Sequence, residues 1–242
     1  MPALSYLRVG HKGADRLAPG NTLASFDAAV AAGVDMIEFD VLPAKPDGSG
    51  ELLLAHDYEV LERRGAATLH EGLAHLAGPA FAELTLDVDM KLAGYETRVL
   101  DALRAHGLAE RTLVTTMEVE SLPIVRAAAP DIRLGWSVPK VKRNYLANPW
   151  TRPFALALAA AGRRIVPRRL ARAVAEGRVD AIMAHHALVT PRLVDAVLGA
   201  GGELYVWTVD DGAHIEALAR LGVTGIISND PRLFAAPEPA AA

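Results

Sequence analysis

The chain has no cysteine. That excludes disulfides, thiolate metal sites, iron–sulfur clusters and cysteine nucleophiles together. It has no run of 18 or more apolar residues, so no membrane-spanning helix is expected. The opening MPALSYLRVGHKG lacks a charged segment followed by a long apolar one, so no secretory signal is read there. Aromatic residues are scarce at 5%, and there is no phosphate-binding GxxxxGK[ST], GxSxG or HExxH pattern. These absences remove P-loop nucleotide chemistry, the serine nucleophile elbow and the commonest zinc-protease geometry. Nothing marks a nucleic-acid partner. A cytoplasmic protein is the expectation.

What is present is core-forming material. Of 242 residues, 51% are hydrophobic and 22% charged, which excludes disorder for most of the chain. The net charge of −4 hides an asymmetry. Residues 140–178 hold ten basic residues and one acid, while the remainder holds 15 basic and 28 acidic residues. Such a basic segment reads as a solvated helix face, or as a surface for an anionic substrate or for peripheral membrane contact.

Short β-rich runs alternate with alanine-rich helical stretches. Strands are predicted at Tyr6–Gly10, Met36–Leu42, Glu51–Ala55, Leu84–Met90, Thr112–Thr116, Ile132–Trp136, Ala181–Ala184, Glu203–Thr208 and Gly225–Ser228. Helices are predicted at Thr22–Ala32, Glu96–His106, Val119–Ala129, Pro191–Ala200 and Ala213–Leu221. Asn21 or Thr22 caps the first helix. Repeated strand–helix–strand units at this length fit an α/β, single-domain TIM (β/α)8 barrel over residues 1–235, with a frayed tail at 236–242. A doubly wound open sheet is the alternative. Nine strands compete for eight places. The one at 51–55 follows its predecessor through Pro46-Asp47-Gly48-Ser49-Gly50, too short for a helix, and reads as a hairpin return. The stretch from Pro139 to Arg178 is the least regular.

Acids on these strands carry the chemistry. Glu38 and Asp40 are two residues apart, so on a strand they share a side, as do Asp87, Asp89 and Lys91. Acids inside an otherwise apolar strand are expensive to bury unless paired or metal-bound. An all-oxygen cluster selects Mg²⁺, Ca²⁺ or Mn²⁺ over Zn²⁺. His11 and His56 stand at strand ends, where barrels collect catalytic groups; together they would supply a general base and a general acid. Lys12 beside His11 would hold an anionic phosphate as a point charge. Asn229-Asp230-Pro231 reads as a cap of the last helical turn, and His185-His186 as structural.

Five blocks resemble a known family. They are Val9-Gly10-His11-Lys12-Gly13 through Ala18-Pro19-Gly20-Asn21-Thr22-Leu23-Ala24-Ser25-Phe26, Gly33-Val34-Asp35-Met36-Ile37-Glu38-Phe39-Asp40-Val41, Leu54-Ala55-His56-Asp57, Tyr205-Val206-Trp207-Thr208-Val209-Asp210, and Gly222 to Pro231. Their order and spacing are similar to the glycerophosphodiester phosphodiesterase family. The resemblance implies a TIM barrel binding one divalent cation, Mg²⁺ or Ca²⁺, that cleaves a small glycerophosphodiester to glycerol 3-phosphate and an alcohol. It implies metal ligation by Glu38, Asp40 and Asp89, acid/base roles for His11 and His56, and substrate contacts from Lys12, Lys91 and Trp207. The chain departs from the family pattern in having Lys12 for Arg, Asp89 for Glu, Gly20 for Glu, and Met117-Glu118 for Ser-Phe. A phospholipase D-type activity on lysophospholipid or sphingolipid, or a silent phosphodiester-binding barrel, are the alternative readings.

Overall fold

The computed structural model describes residues 5–140 and 165–234. Eight parallel strands close into a barrel: β1 (Leu7–Gly10), β2 (Met36–Pro43), β4 (Thr85–Met90), β5 (Thr112–Thr116), β6 (Arg133–Val138), β7 (Ala181–His185), β8 (Glu203–Trp207) and β9 (Gly225–Ser228). Closure comes from β1, which pairs in parallel with both β9 and β2. The remaining strand, β3 (Leu52–Leu54), runs antiparallel to the end of β2, with Val41 opposite Leu54. It is the hairpin return that the short Pro46–Gly50 connection requires. Because β3 turns back, β2 is free to take β4 as its parallel neighbour.

The helices cover the outside: α1 (Leu23–Ala31), α2 (Tyr58–Arg64), α3 (Leu69–Leu76), α4 (Glu96–Ala105), α5 (Ser121–Ala128), helical residues 165–175 as α6, α7 (Pro191–Gly199) and α8 (Gly212–Arg220). Side-chain caps punctuate them. Thr22, not Asn21, caps α1, accepting from the Ser25 N–H at 3.1 Å. Asp57 caps α2, Thr68 and Glu71 form a capping box on α3, and Thr190 and Asp211 cap α7 and α8. Sequence periodicity missed α2, α3 and α6: each is short or falls in a stretch broken by proline, though the Asp57 and Thr68-x-x-Glu71 cap signals were present. Peripheral membrane contact through 140–178 falls mainly on residues 141–164, outside the described residues. Among the described residues no helix is long and apolar enough to cross a membrane.

Two apolar layers follow from strand alternation. Val9, Met36, Leu113, Met183, Tyr205 and Ile227 fill the barrel interior. Ile37, Phe39, Val41, Val88 and Val114 face outward and pack under the helices; Phe26 of α1 meets Phe39 at 5.4 Å between ring centroids. The interior is thus plugged by apolar side chains, and polar groups collect toward the C-terminal ends of the strands, where this fold places its sites.

Candidate active site

The β2–β4 register sets Glu38 beside Asp87 and Asp40 beside Asp89. Alternation turns all four carboxyls to the same side, and all four are buried. Glu38, Asp40 and Asp89 offer carboxylate oxygens within 4.8 Å of one another. Lys91, just past β4, pairs its ammonium with both Asp40 and Asp89. One lysine therefore faces four acids. Asp89 Oδ1 is buried with no hydrogen-bond partner. A crowded, under-compensated, all-oxygen cluster of this kind fits a hard divalent cation.

The backbone around it is built for the acids. Lys12 adopts φ 52°, a left-handed conformation that aims its N–H at Glu38 Oε2, 2.7 Å away. The Lys12 carbonyl accepts from the Asn21 N–H at 3.0 Å and from Ser25 Oγ at 2.8 Å, tying the turn to the start of α1. Asn21, also left-handed at φ 58°, grips Asp40 twice: its Nδ2 donates to Oδ2 at 2.7 Å, and its Oδ1 accepts from the Asp40 N–H at 2.9 Å. Its sequence position suggested a helix cap; only the fold reveals it as a carboxylate clamp.

The cluster shifts its own ionisation. Burial, helped by Asp40, holds the Glu38 carboxyl well above its ordinary range. Burial pushes Asp87 up to about 8, against the hydrogen bond that Thr115 Oγ1 donates to it at 2.7 Å. Burial also opposes charge on Asp40, but Lys91 outweighs it and holds Asp40 ionised and low. Lys91 is correspondingly held protonated: burial disfavours its charge, and Asp40 and Asp89 more than restore it.

A cavity of about 230 Å³ opens onto this cluster, lined by His11, Glu38, His56, Asp87, Asp89, Lys91, Met117 and Trp207 among others. Both histidines therefore share one space with the acids. His11 follows β1, and its Nε2 lies 3.8 Å from Glu38 Oε2. Its Nδ1 lies 2.6 Å from Asn229 Oδ1. Burial lowers the His11 pKa, so the ring is neutral near pH 7. His56 follows β3, is about half exposed, and contacts Asp57 Oδ2 through Nδ1 at 3.0 Å. Trp207 ends β8; its Nε1 donates to the Met183 carbonyl at 2.9 Å, which fixes the ring at the cavity wall.

Comparison with known proteins bears on the family and the fold. The profile of the Glycerophosphoryl diester phosphodiesterase family matches residues 11–71 and 79–233. The chain belongs to this family. A glycerophosphodiester phosphodiesterase of Caldanaerobacter subterraneus is 25% identical over 93% of this chain and 94% of its own length. A crystal structure of glycerophosphodiester phosphodiesterase from Agrobacterium tumefaciens superposes with a TM-score of 0.67 at 22% identity, covering 95% of this chain and 99% of that one. An Oleispira antarctica phosphodiesterase, solved with the product sn-glycerol-3-phosphate, gives a TM-score of 0.67 at 18% identity over 93% and 94% of the two chains. The likeness in structure shows a shared barrel.

In this glycerophosphoryl diester phosphodiesterase family member the remaining departures have local accounts. A Cβ at Gly20 would meet Asp15 Oδ1 at 2.6 Å and Lys12 Cβ at 2.8 Å, so no side chain fits there without a shift. Asp15 instead accepts from the Gly20 N–H at 2.7 Å. Glu118 pairs with Lys140 rather than lining the cavity, which its neighbour Met117 does. The backbone of Lys12 serves Glu38, and Lys12 is not among the cavity-lining residues. Within Asn229-Asp230-Pro231, Asp230 caps the last helical turn, its Oδ1 accepting from the Arg232 N–H at 3.2 Å, while Asn229 contacts His11, a partner too distant in sequence for any local pattern to show.

Proposed function

We propose that this protein hydrolyses small glycerophosphodiesters to glycerol 3-phosphate and an alcohol, using one divalent cation and two histidines. The observation that supports the reading best is the meeting of two chemistries in one cavity: the buried Glu38, Asp40 and Asp89 cluster, and His11 with His56. A relative named glycerophosphodiester phosphodiesterase and a related structure holding the product support the substrate class.

Glu38, Asp40 and Asp89 would hold Mg²⁺ or Ca²⁺. When bound, the ion supplies Lewis-acid polarisation and neutralises negative charge developing on the phosphate. His11, buried and neutral, takes the proton from the attacking hydroxyl: either water, giving glycerol 3-phosphate directly, or the glycerol 2-hydroxyl, giving a cyclic phosphate that water then opens to glycerol 3-phosphate. His56, on the more open side, gives a proton to the departing alkoxide, so each displacement takes one proton from the nucleophile and gives one to the leaving oxygen. Lys91 adds positive charge beside the phosphate, and Lys12, outside the cavity lining, adds longer-range positive charge felt at His11 and Asp40. Trp207 presents a flat apolar face to the carbon skeleton of the substrate.

The test is release of glycerol 3-phosphate from glycerophosphocholine and glycerophosphoethanolamine with Mg²⁺, Ca²⁺ or EDTA. Release is expected with one of the metals and not with EDTA. His11→Ala is expected to lower it by roughly 10²–10⁴-fold, the usual contribution of a positioned acid or base. No release with either metal would overturn the reading.

A further inference from the structure

His11 Nδ1 meets a side-chain amide, and that amide is itself held by a carboxylate. We propose that Asn229 and Asp210 are positioning residues that fix His11 in one tautomer, with the hydrogen on Nδ1 and the lone pair on Nε2. The inference deepens the role given to His11 above and rests on that reading.

The chain of donors settles the direction. Asp210 offers only acceptors when ionised. Its Oδ1 receives the Asn229 backbone N–H at 2.9 Å, and its Oδ2 lies 2.6 Å from Asn229 Nδ2. Ser228 Oγ adds a third contact to Oδ1 at 3.0 Å. Turning the Asn229 amide over would set its oxygen against a carboxylate oxygen, which repels. Nδ2 therefore faces Asp210 and Oδ1 faces His11. A carbonyl oxygen cannot donate, so at 2.6 Å the shared hydrogen belongs to His11 Nδ1. The lone pair of the neutral ring is left on Nε2. That nitrogen is 3.8 Å from Glu38 Oε2, beyond a hydrogen bond, so it is not consumed by the acid cluster.

The barrel makes this relay rigid. Asp210 follows β8, Asn229 follows β9 and His11 follows β1, three strands adjacent in the closed sheet. Backbone bonds hold each link: the His11 N–H to the Ser228 carbonyl at 2.9 Å, and the Val209 N–H to the Ile227 carbonyl at 2.9 Å. An amide link differs from a carboxylate one. It fixes the ring but can neither take up the proton nor balance an imidazolium with a full charge. The His11 that results is an oriented base without a formal counter-ion on its far side.

The test combines spectroscopy and kinetics on the full chain. Nitrogen-15 NMR of histidine-labelled protein, with His11→Gln used to assign the signal, is expected to show protonated Nδ1 and unprotonated Nε2. Asp210→Asn removes the reason for the amide's orientation, and Asn229→Ala removes the acceptor. Both are expected to mix or invert the tautomer and to lower kcat by about 10- to 100-fold, the usual cost of losing an orienting partner, with KM within about threefold. The double swap Asp210→Asn with Asn229→Asp again presents an acceptor to Nδ1, and is expected to restore the tautomer and most of kcat. A protonated Nε2 in the wild type, or single variants that lose stability but keep the tautomer, would overturn the proposal. If the wild type cleaves no glycerophosphodiester, the proposed activity falls, while the NMR result still decides the relay.

Discussion

At the scale of single residues, the site depends on groups that fix other groups. Asp210 shows this in its ionisation. Burial opposes its charge, but hydrogen bonds from Asn229 and Ser228 outweigh burial and hold the carboxyl below its ordinary range. A carboxyl depressed in the folded state contributes stability above its unfolded pKa, about 3.9, and loses it as pH falls through the folded value. Asp210→Asn is therefore expected to lower the urea midpoint at pH 7, with the gap to wild type closing below pH 4. Urea unfolding at pH 7, 5 and 3.5 checks this; a constant gap would assign the loss to packing instead.

At the scale of elements, the turn from β1 into α1 is the least forgiving part of the fold. A Cβ at Gly10 would lie 2.1 Å from the Gly13 carbonyl oxygen, a backbone atom in a turn already tied to Glu38 and Ser25. Gly10→Ala is expected to cost about 3 kcal/mol, the upper part of the ordinary range for a single substitution. Because the same turn carries His11 and the Lys12 N–H, activity should fall with stability. Gly72 in α3 is the contrast. Its Cβ would meet only side-chain atoms, those of Leu54 with Cδ1 at 2.6 Å, but Leu54 is fully buried and must shift within the core. There the helix propensity of alanine, worth about 1 kcal/mol over glycine, offsets part of the overpacking, and Gly72→Ala is expected to cost less than Gly10→Ala. Calorimetric melting of the two variants separates a rigid backbone neighbour from a flexible side-chain one.

At the scale of the whole molecule, the barrel concentrates negative charge it cannot neutralise alone. Lys91 shares itself between Asp40 and Asp89, while burial disfavours the charged forms of Glu38 and Asp87. An ion held by Glu38, Asp40 and Asp89 would compete with that ion pair and also relieve the cluster. Binding only the folded state stabilises it by about 2.7 kcal/mol at a hundredfold excess over Kd. Mg²⁺ or Ca²⁺ is therefore expected to raise the melting temperature by several degrees over EDTA. Glu38→Gln should leave the EDTA value nearly unchanged, because burial already disfavours that carboxyl's charge and the amide keeps an oxygen for the Lys12 N–H, and should remove most of the metal-dependent rise. A wild-type melting temperature blind to both metals would count against the cation site.

Much of this molecule was legible in local pattern. Short β-rich runs located all nine strands to within a residue or two, the short Pro46–Gly50 link identified β3 as a return, and two-residue spacing put Glu38 with Asp40 and Asp87 with Asp89 on common sides. These features depend on neighbours in the chain, which sequence records directly. The rest depends on which strands become neighbours. Asp40 meets Asp89 only because β3 folds back and leaves β2 to pair with β4; Asn21 leaves its helix to clamp Asp40 only because the Lys12 turn brings it there. Asn229 reaches His11 across 218 residues because closing the barrel sets β9 against β1. Alternation decides which way a side chain faces; closure decides what it faces, and that follows from the pairing of distant strands rather than from any local pattern.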